Sequence, residues 1–234
     1  MMRAAALVLF TAALAVAAPA PKPAAKKIED VFGAVVEAKG VTCEMTQRGE
    51  LRVGVSKEAA TDGDAHAVAR PLVTRKVKGD FAVTVRVAHA PPDGNVASAL
   101  GGGDPTGSAG IALYPPDKPE AAVTFLRRHI NERAGWKTDY CARTQYNETA
   151  FESNTRPGKA LEGGPVYLRV TRRGNEFASA WSHDGKRWTP AALQGRFGFP
   201  SEVLIGPVAA HNTTAGYSVT FDEYALTKPP EEKK

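Results

Sequence analysis

Between Lys78 and Pro92 the chain alternates strictly. Phe81, Val83, Val85 and Val87 share one parity, and Ala82, Thr84, Arg86 and Ala88 share the other. A period of two lays one apolar row along one side of an extended strand, and no helix gathers those residues on one face. The pattern recurs in Val41–Met45 (VTCEM), Val166–Gly174, Asn175–Gly185, Glu202–Asn212 and Gly216–Thr227, with turn residues between the runs. Spacing alone leaves Ala121–Glu132 (AAVTFLRRHINE) open between helix and strand, and its β-branched residues favour a strand. About eleven or twelve short strands without long helical periodicity predict an all-β fold. The arrangement expected is a two-sheet antiparallel jelly-roll sandwich. No internal repeat is visible, which argues against a propeller.

The two ends read differently from the body. Arg3 precedes a short apolar run, Ala4–Ala18, and Ala15 and Ala17 occupy the small-residue positions of a cleavage site. Residues 1–17 are therefore expected to be a secretory signal peptide, with a retained anchor as the rival reading. Residues 18–27 contain only Pro, Ala and Lys and read as a linker. The sandwich domain is expected over residues 28–227, followed by a charged tail over 228–234. Such a protein is secreted, periplasmic or held at the cell surface. In an oxidising compartment Cys43 and Cys141 are expected to form a disulfide, two buried free thiols being the alternative. The net charge is +5, but many of the lysines lie in the tails. No basic run is interleaved with aromatics, so nucleic acid is excluded as a partner, while acidic polymers at a surface fit.

From Lys78 onward the order of motifs is distinctive. GDFAVTVRV is followed by AGIALY, a long middle hairpin, PVYLRVTRRGNEFASAWSHDGKRW, VLIGPVAA and YSVTFDEYAL. This order resembles the concanavalin A-like lectin/glucanase superfamily, in particular an exported bacterial branch akin to laminin-G-like modules and to the accessory sandwich of some β-xylosidases. The resemblance covers roughly Asp80–Leu226 and implies the jelly-roll fold more firmly than any activity. Glycosidases of that superfamily carry acidic residues at a Glu-x-Asp-x-x-Glu spacing, on one face of one strand. The chain has no such pattern. Its nearest pair, Asp222-Glu223, is adjacent, and adjacent strand residues point to opposite faces. Ser182, His183 and Asp184 follow one another in a turn and cannot converge as a triad.

A binding face is better supported than a reaction. Sugar recognition combines aromatic rings with planar polar groups. The segment Tyr114–Phe151 supplies Tyr114, Arg127, His129, Trp136, Tyr140, Arg143 and Gln145. Phe125, Arg127 and His129 share one parity, and Trp136 is placed in a hairpin loop, a good position for a ligand platform. Cys141, Arg143 and Gln145 share the parity opposite to Tyr140. An inward Cys141 would therefore carry Arg143 inward unless a bulge intervenes. An ordinary sheet face with salt bridges is the alternative. No cofactor is called for. Calcium stays open through Asp62, Asp64, Asp93, Asn95 and Asp104 in glycine-bearing loops, although plain turn chemistry explains them as well. The five histidines show no zinc spacing. Asn147 and Asn212 head glycosylation sequons. Asp184-Gly185 reads as a hairpin turn, with Trp181 and Trp188 expected in cross-strand contact. The reading is an exported, non-catalytic sandwich that binds a glycan or envelope polysaccharide. A carbohydrate-active enzyme and a protein-interaction module of an envelope assembly are the alternatives.

Overall fold

The computed structural model describes residues 27–59, 73–88, 104–118, 121–132, 135–146, 149–155, 164–196 and 198–231. One helical turn, α1 (Ile28–Val31), leads into the strands β1 (Ala34–Val35), β2 (Val41–Met45), β3 (Leu51–Val55), β4 (Val73–Lys78), β5 (Phe81–Ala88), β6 (Thr106–Tyr114) and β7 (Ala122–Glu132). They are followed by β8 (Gly135–Tyr146), β9 (Thr149–Thr155), β10 (Val166–Arg173), β11 (Glu176–Ser182), β12 (Thr189–Arg196), β13 (Glu202–His211) and β14 (Tyr217–Thr227). They form two seven-stranded antiparallel sheets. The first runs β1-β4-β13-β6-β7-β8-β9 and the second β12-β11-β10-β5-β14-β3-β2. Strands distant in sequence lie side by side, as β5 does between β10 and β14. This is the two-sheet antiparallel jelly-roll sandwich that the alternation predicts.

The core fills the space between the sheets. Val83, Val85 and Val87 of β5, with Leu168 and Val170 of β10, meet Ile111 and Leu113 of β6 and Val123 and Phe125 of β7, all fully buried. Each such side chain contributes roughly 1.5–3 kcal/mol by leaving water. The α1 turn is tied to this core by Phe32, whose ring lies 5.4 Å from that of Tyr224. Arg75 Nη2 donates to the Val31 carbonyl at 3.0 Å, using a carbonyl that a single turn leaves unpaired.

Pro207 sits within β13 because the ladder changes there. Among the described residues β13 pairs with β4 through Glu202–Ile205, whereas its pairing with β6 continues to His211. On the β4 side Pro207 therefore has no ladder bond to lose. Beside it the Val73 carbonyl passes so close to Gly206 that a Cβ there would fall 1.6 Å from the oxygen.

The expected disulfide is not formed: Cys43 and Cys141 are both free thiols. β2 ends the second sheet, whereas β8 lies near the opposite side of the sandwich, against β12. Cys43 packs on the core between the sheets. Cys141 pairs with Leu126, on the side of the first sheet away from that core. Alternation places the two thiols on different faces of different sheets, so no bridge can close.

Candidate functional site

The β7–β8 hairpin sorts the middle region into two faces. Opposite residues of an antiparallel pair share a face, and the register pairs Phe125 with Ala142, Arg127 with Tyr140 and His129 with Thr138. Phe125, Tyr140 and Ala142 belong to the core, so this row points inward. The alternate row pairs Thr124 with Arg143, Leu126 with Cys141 and Arg128 with Asp139, and it points outward. Three of the expected ligand residues are thus interior: Arg127, His129 and Tyr140 are 1–2% exposed. Tyr140 stacks on Trp181 of the second sheet, with centroids 4.7 Å apart and planes at 11°. Burial, opposed by the nearby Arg127 charge, pushes its phenol up to about 12. Burial also lowers the Arg127 guanidinium, which donates from Nη1 to the Gly164 carbonyl at 2.7 Å. His129 Nδ1 lies 2.9 Å from Thr138 Oγ1.

Trp136 is a strand residue of β8 opposite Asn131, not a loop residue. It is half-buried and has the parity of Tyr140. Arg143 lies on the other face, so the expected single groove of Trp136, Tyr140, Arg127 and Arg143 is divided by the sheet itself. The inward drag on Arg143 resolves the same way, because Cys141 and Arg143 both face outward. The backbone of Gln145 pairs with Ala122, and its side chain lies outside the described residues.

The outer face of the first sheet is the better-built candidate. Its centre is Arg128, which donates from Nε to Asp139 Oδ1 and from Nη2 to Asp139 Oδ2, both at 2.8 Å. The same Nη2 donates to Asn154 Oδ1 of β9 at 3.0 Å. Both members of the pair are at most 3% exposed, and Asn154 is exposed. A fork-to-fork pair of this kind holds its geometry rigidly, and the third bond fixes the neighbouring strand. Half-buried Arg143 shares this face, as does Tyr114 by its pairing with Leu204. The same face carries Ala112, Leu126, Val208 and Ala210, which pack together and are at most 4% exposed. Of the expected residues whose side chains are described, this face joins Arg143 and Tyr114. Arg128, Asp139 and Asn154 were not singled out in the sequence. The available signal was parity: residues sharing Cys141's register had to share one face.

Other expectations resolve locally. Ser182–Arg187 is a capped turn. Ser182 Oγ donates to Asp184 Oδ1 at 3.0 Å, and the amides of Lys186 and Arg187 donate to the same oxygen at 2.8 Å. Those amides, with Ser182, hold the Asp184 carboxyl down to about 2. The two tryptophans do not meet across the turn as expected. Trp181 points into the core, and Trp188 lies outside with the Arg169 guanidinium 3.6 Å above its ring. Asp222 and Glu223 do not point apart either. A bulge between Asp222 and Ala225, with Glu223 at φ 47°, brings both carboxylates to Arg86 Nη1 at 3.2 Å. Asn212 is 3% exposed, and its side chain bonds the Thr106 amide at 2.6 Å, so that sequon is closed in the folded state. Asn147 lies outside the described residues, as do Asp62, Asp64, Asp93 and Asn95. Among the described residues no group of three or more His, Cys, Asp or Glu could hold a metal ion.

No protein-family model matches the sequence, and no curated protein matches it. Solved structures do. A functionally unknown protein from Saccharomyces cerevisiae superposes with a TM-score of 0.59 at 18% identity, covering 83% of this chain and 95% of that one. The GH43 protein BlXynB from Bacillus licheniformis superposes at 0.57 with 16% identity, over 80% of this chain and 35% of that one. An alginate lyase from Klebsiella pneumoniae superposes at 0.50 with 10% identity, over 80% and 84%. At these identities the likeness is one of fold, and the chain shares the two-sheet jelly-roll sandwich with these proteins.

Proposed function

We propose that this chain is an exported, non-catalytic sandwich that binds a glycan or cell-envelope polysaccharide on the outer face of its first sheet. The observation that carries the reading is the network of Arg128, Asp139 and Asn154, placed beside Arg143 and Tyr114 on one rigid sheet. At its surface this face presents Asn154, Arg143 and the Tyr114 ring, with Asn154 held by the buried Arg128–Asp139 pair, and planar polar groups beside an aromatic ring suit sugar hydroxyls. Among the solved structures that share the fold, one is a GH43 protein and another an alginate lyase, which supports a glycan as ligand. Asp139, the carboxylate within this network, is not free for acid–base chemistry. Both Asp139 oxygens accept from Arg128, and a carboxylate so engaged is a poor general acid or base.

A glycan array followed by calorimetry tests the reading. Binding is expected to weaken at least tenfold in Arg143→Ala and in Asn154→Ala, with no new reducing ends released from the bound polysaccharide. Binding that survives both substitutions, or release of reducing ends, refutes it. N-terminal sequencing of the exported protein tests the leader, with a mature start at Ala18 expected.

A further inference from the structure

The outer face of the second sheet carries a second constellation, separate from the one just described. Its rows follow from register. Asp222 of β14, Arg86 of β5 and Tyr167 of β10 form one row, and Ala225, Thr84, Arg169 and Ala180 form the next. Neighbouring rows on one face are about 6.8 Å apart, two strand residues. In the first row the bulge at Asp222–Ala225 turns Glu223 toward this face, where Oε1 accepts from Tyr167 OH at 2.8 Å and from Arg86 at 3.2 Å. Oε2 takes part in neither bond. A left-handed backbone at a residue other than glycine costs energy, and here it serves to aim a carboxylate. In the second row Arg169 donates from Nε to Thr84 Oγ1 at 3.3 Å, and its plane rests on Trp188. Among the described residues it forms no ion pair. Its terminal nitrogens remain as a flat two-pronged donor edge backed by an indole ring. Small residues flank it, so the surface beside the stack is low: Ala180 and Thr84 are half-exposed and Ala225 is exposed.

We infer that this face binds an acidic sugar, a uronate residue of a polysaccharide. Its carboxylate lies on the Nη edge of Arg169, its ring on Ala180, Thr84 and Ala225, and its hydroxyls donate to Glu223. A guanidinium edge matches a planar carboxylate with two parallel hydrogen bonds. The acceptor carboxylates stand a row away, where they meet the hydroxyl side of the ring and not its charge. Arg86 draws charge from both of them. The net positive charge of the chain favours the same class of polymer.

Calorimetry on the full chain with a galacturonic acid tetrasaccharide and with its methyl ester tests the inference. The ester removes the charge and one of the two equivalent acceptor oxygens of each carboxyl group and adds a methyl group. The acid is expected to bind at least tenfold more tightly than the ester, and its affinity to fall as salt rises. Arg169→Gln is expected to lose at least tenfold for the acid, and Arg169→Lys to recover part of it, because the charge remains and the fork does not. Equal affinity for acid and ester, or wild-type affinity in Arg169→Gln, overturns the inference. Should Arg169→Gln fail to fold by circular dichroism, Glu223→Gln decides, with weakened binding expected and unchanged binding contrary. Loss in Arg143→Ala alone overturns this inference and leaves the proposed function standing.

Discussion

Arg128 and Asp139 show how much a single parity decides. Arg127 and Arg128 are neighbours of identical type, yet one is buried between the sheets and the other organises the outer face. Removing one partner of a buried pair leaves the other charge uncompensated. Arg128→Ala is therefore expected to destabilise the fold by about 3–5 kcal/mol in urea unfolding, and a small effect would show that the pair is not desolvated. Asp184 gives a second test at this scale. Its carboxyl is held below the ordinary value by the Arg187 and Lys186 amides. A depressed folded value means that its contribution is present above the unfolded value of 3.8 and fades as pH falls toward about 2. Titration followed by carboxyl NMR shifts is expected to show Asp184 still ionised at pH 3, and protonation at ordinary carboxylate pH would contradict the capped turn.

At the scale of elements, the alternation in β5, β10 and β14 was readable because each strand carries a clean apolar row. β7 and β8 were readable as strands, but the direction of their faces was not. Alternation defines two rows without saying which one meets the partner sheet, and β6 and β7 are buried on both sides for most of their length. The bulge at Asp222–Ala225 left no sequence signal, since its left-handed residue is a glutamate and not a glycine. Trp136 was misplaced for a related reason: β8 runs almost to the hairpin tip, so a tryptophan beside Gly135 still pairs in the ladder. Gly206 tests the ladder change in β13. Gly206→Ala is expected to cost about 1–3 kcal/mol through overpacking against the Val73 carbonyl, and wild-type thermal stability would show that the two backbones can separate freely.

The whole molecule is two sheets closed on a core that includes phenols. Tyr140 and Tyr224 are raised to about 12 and Tyr217 well above its ordinary value, chiefly by burial. Their folded values exceed the unfolded value of 10, so the stability they contribute is complete below pH 10 and is lost as pH rises toward 12. Alkaline titration at 295 nm is expected to show these phenols ionising together with unfolding, and Tyr140→Phe to move the transition to higher pH. Early ionisation of all the tyrosines in a folded chain would contradict their burial. The fold was legible as a whole because strand count and alternation leave few architectures, and the binding face was legible only in part because it depends on which row looks outward. The decisive measurement is amide chemical-shift mapping during titration with the glycan selected on the array. Perturbations are expected to concentrate on Thr124, Arg128, Asp139, Arg143 and Asn154. A map confined to the rim around Trp136, or no perturbation of the β7–β8–β9 face, would contradict the assignment of that face as the binding surface.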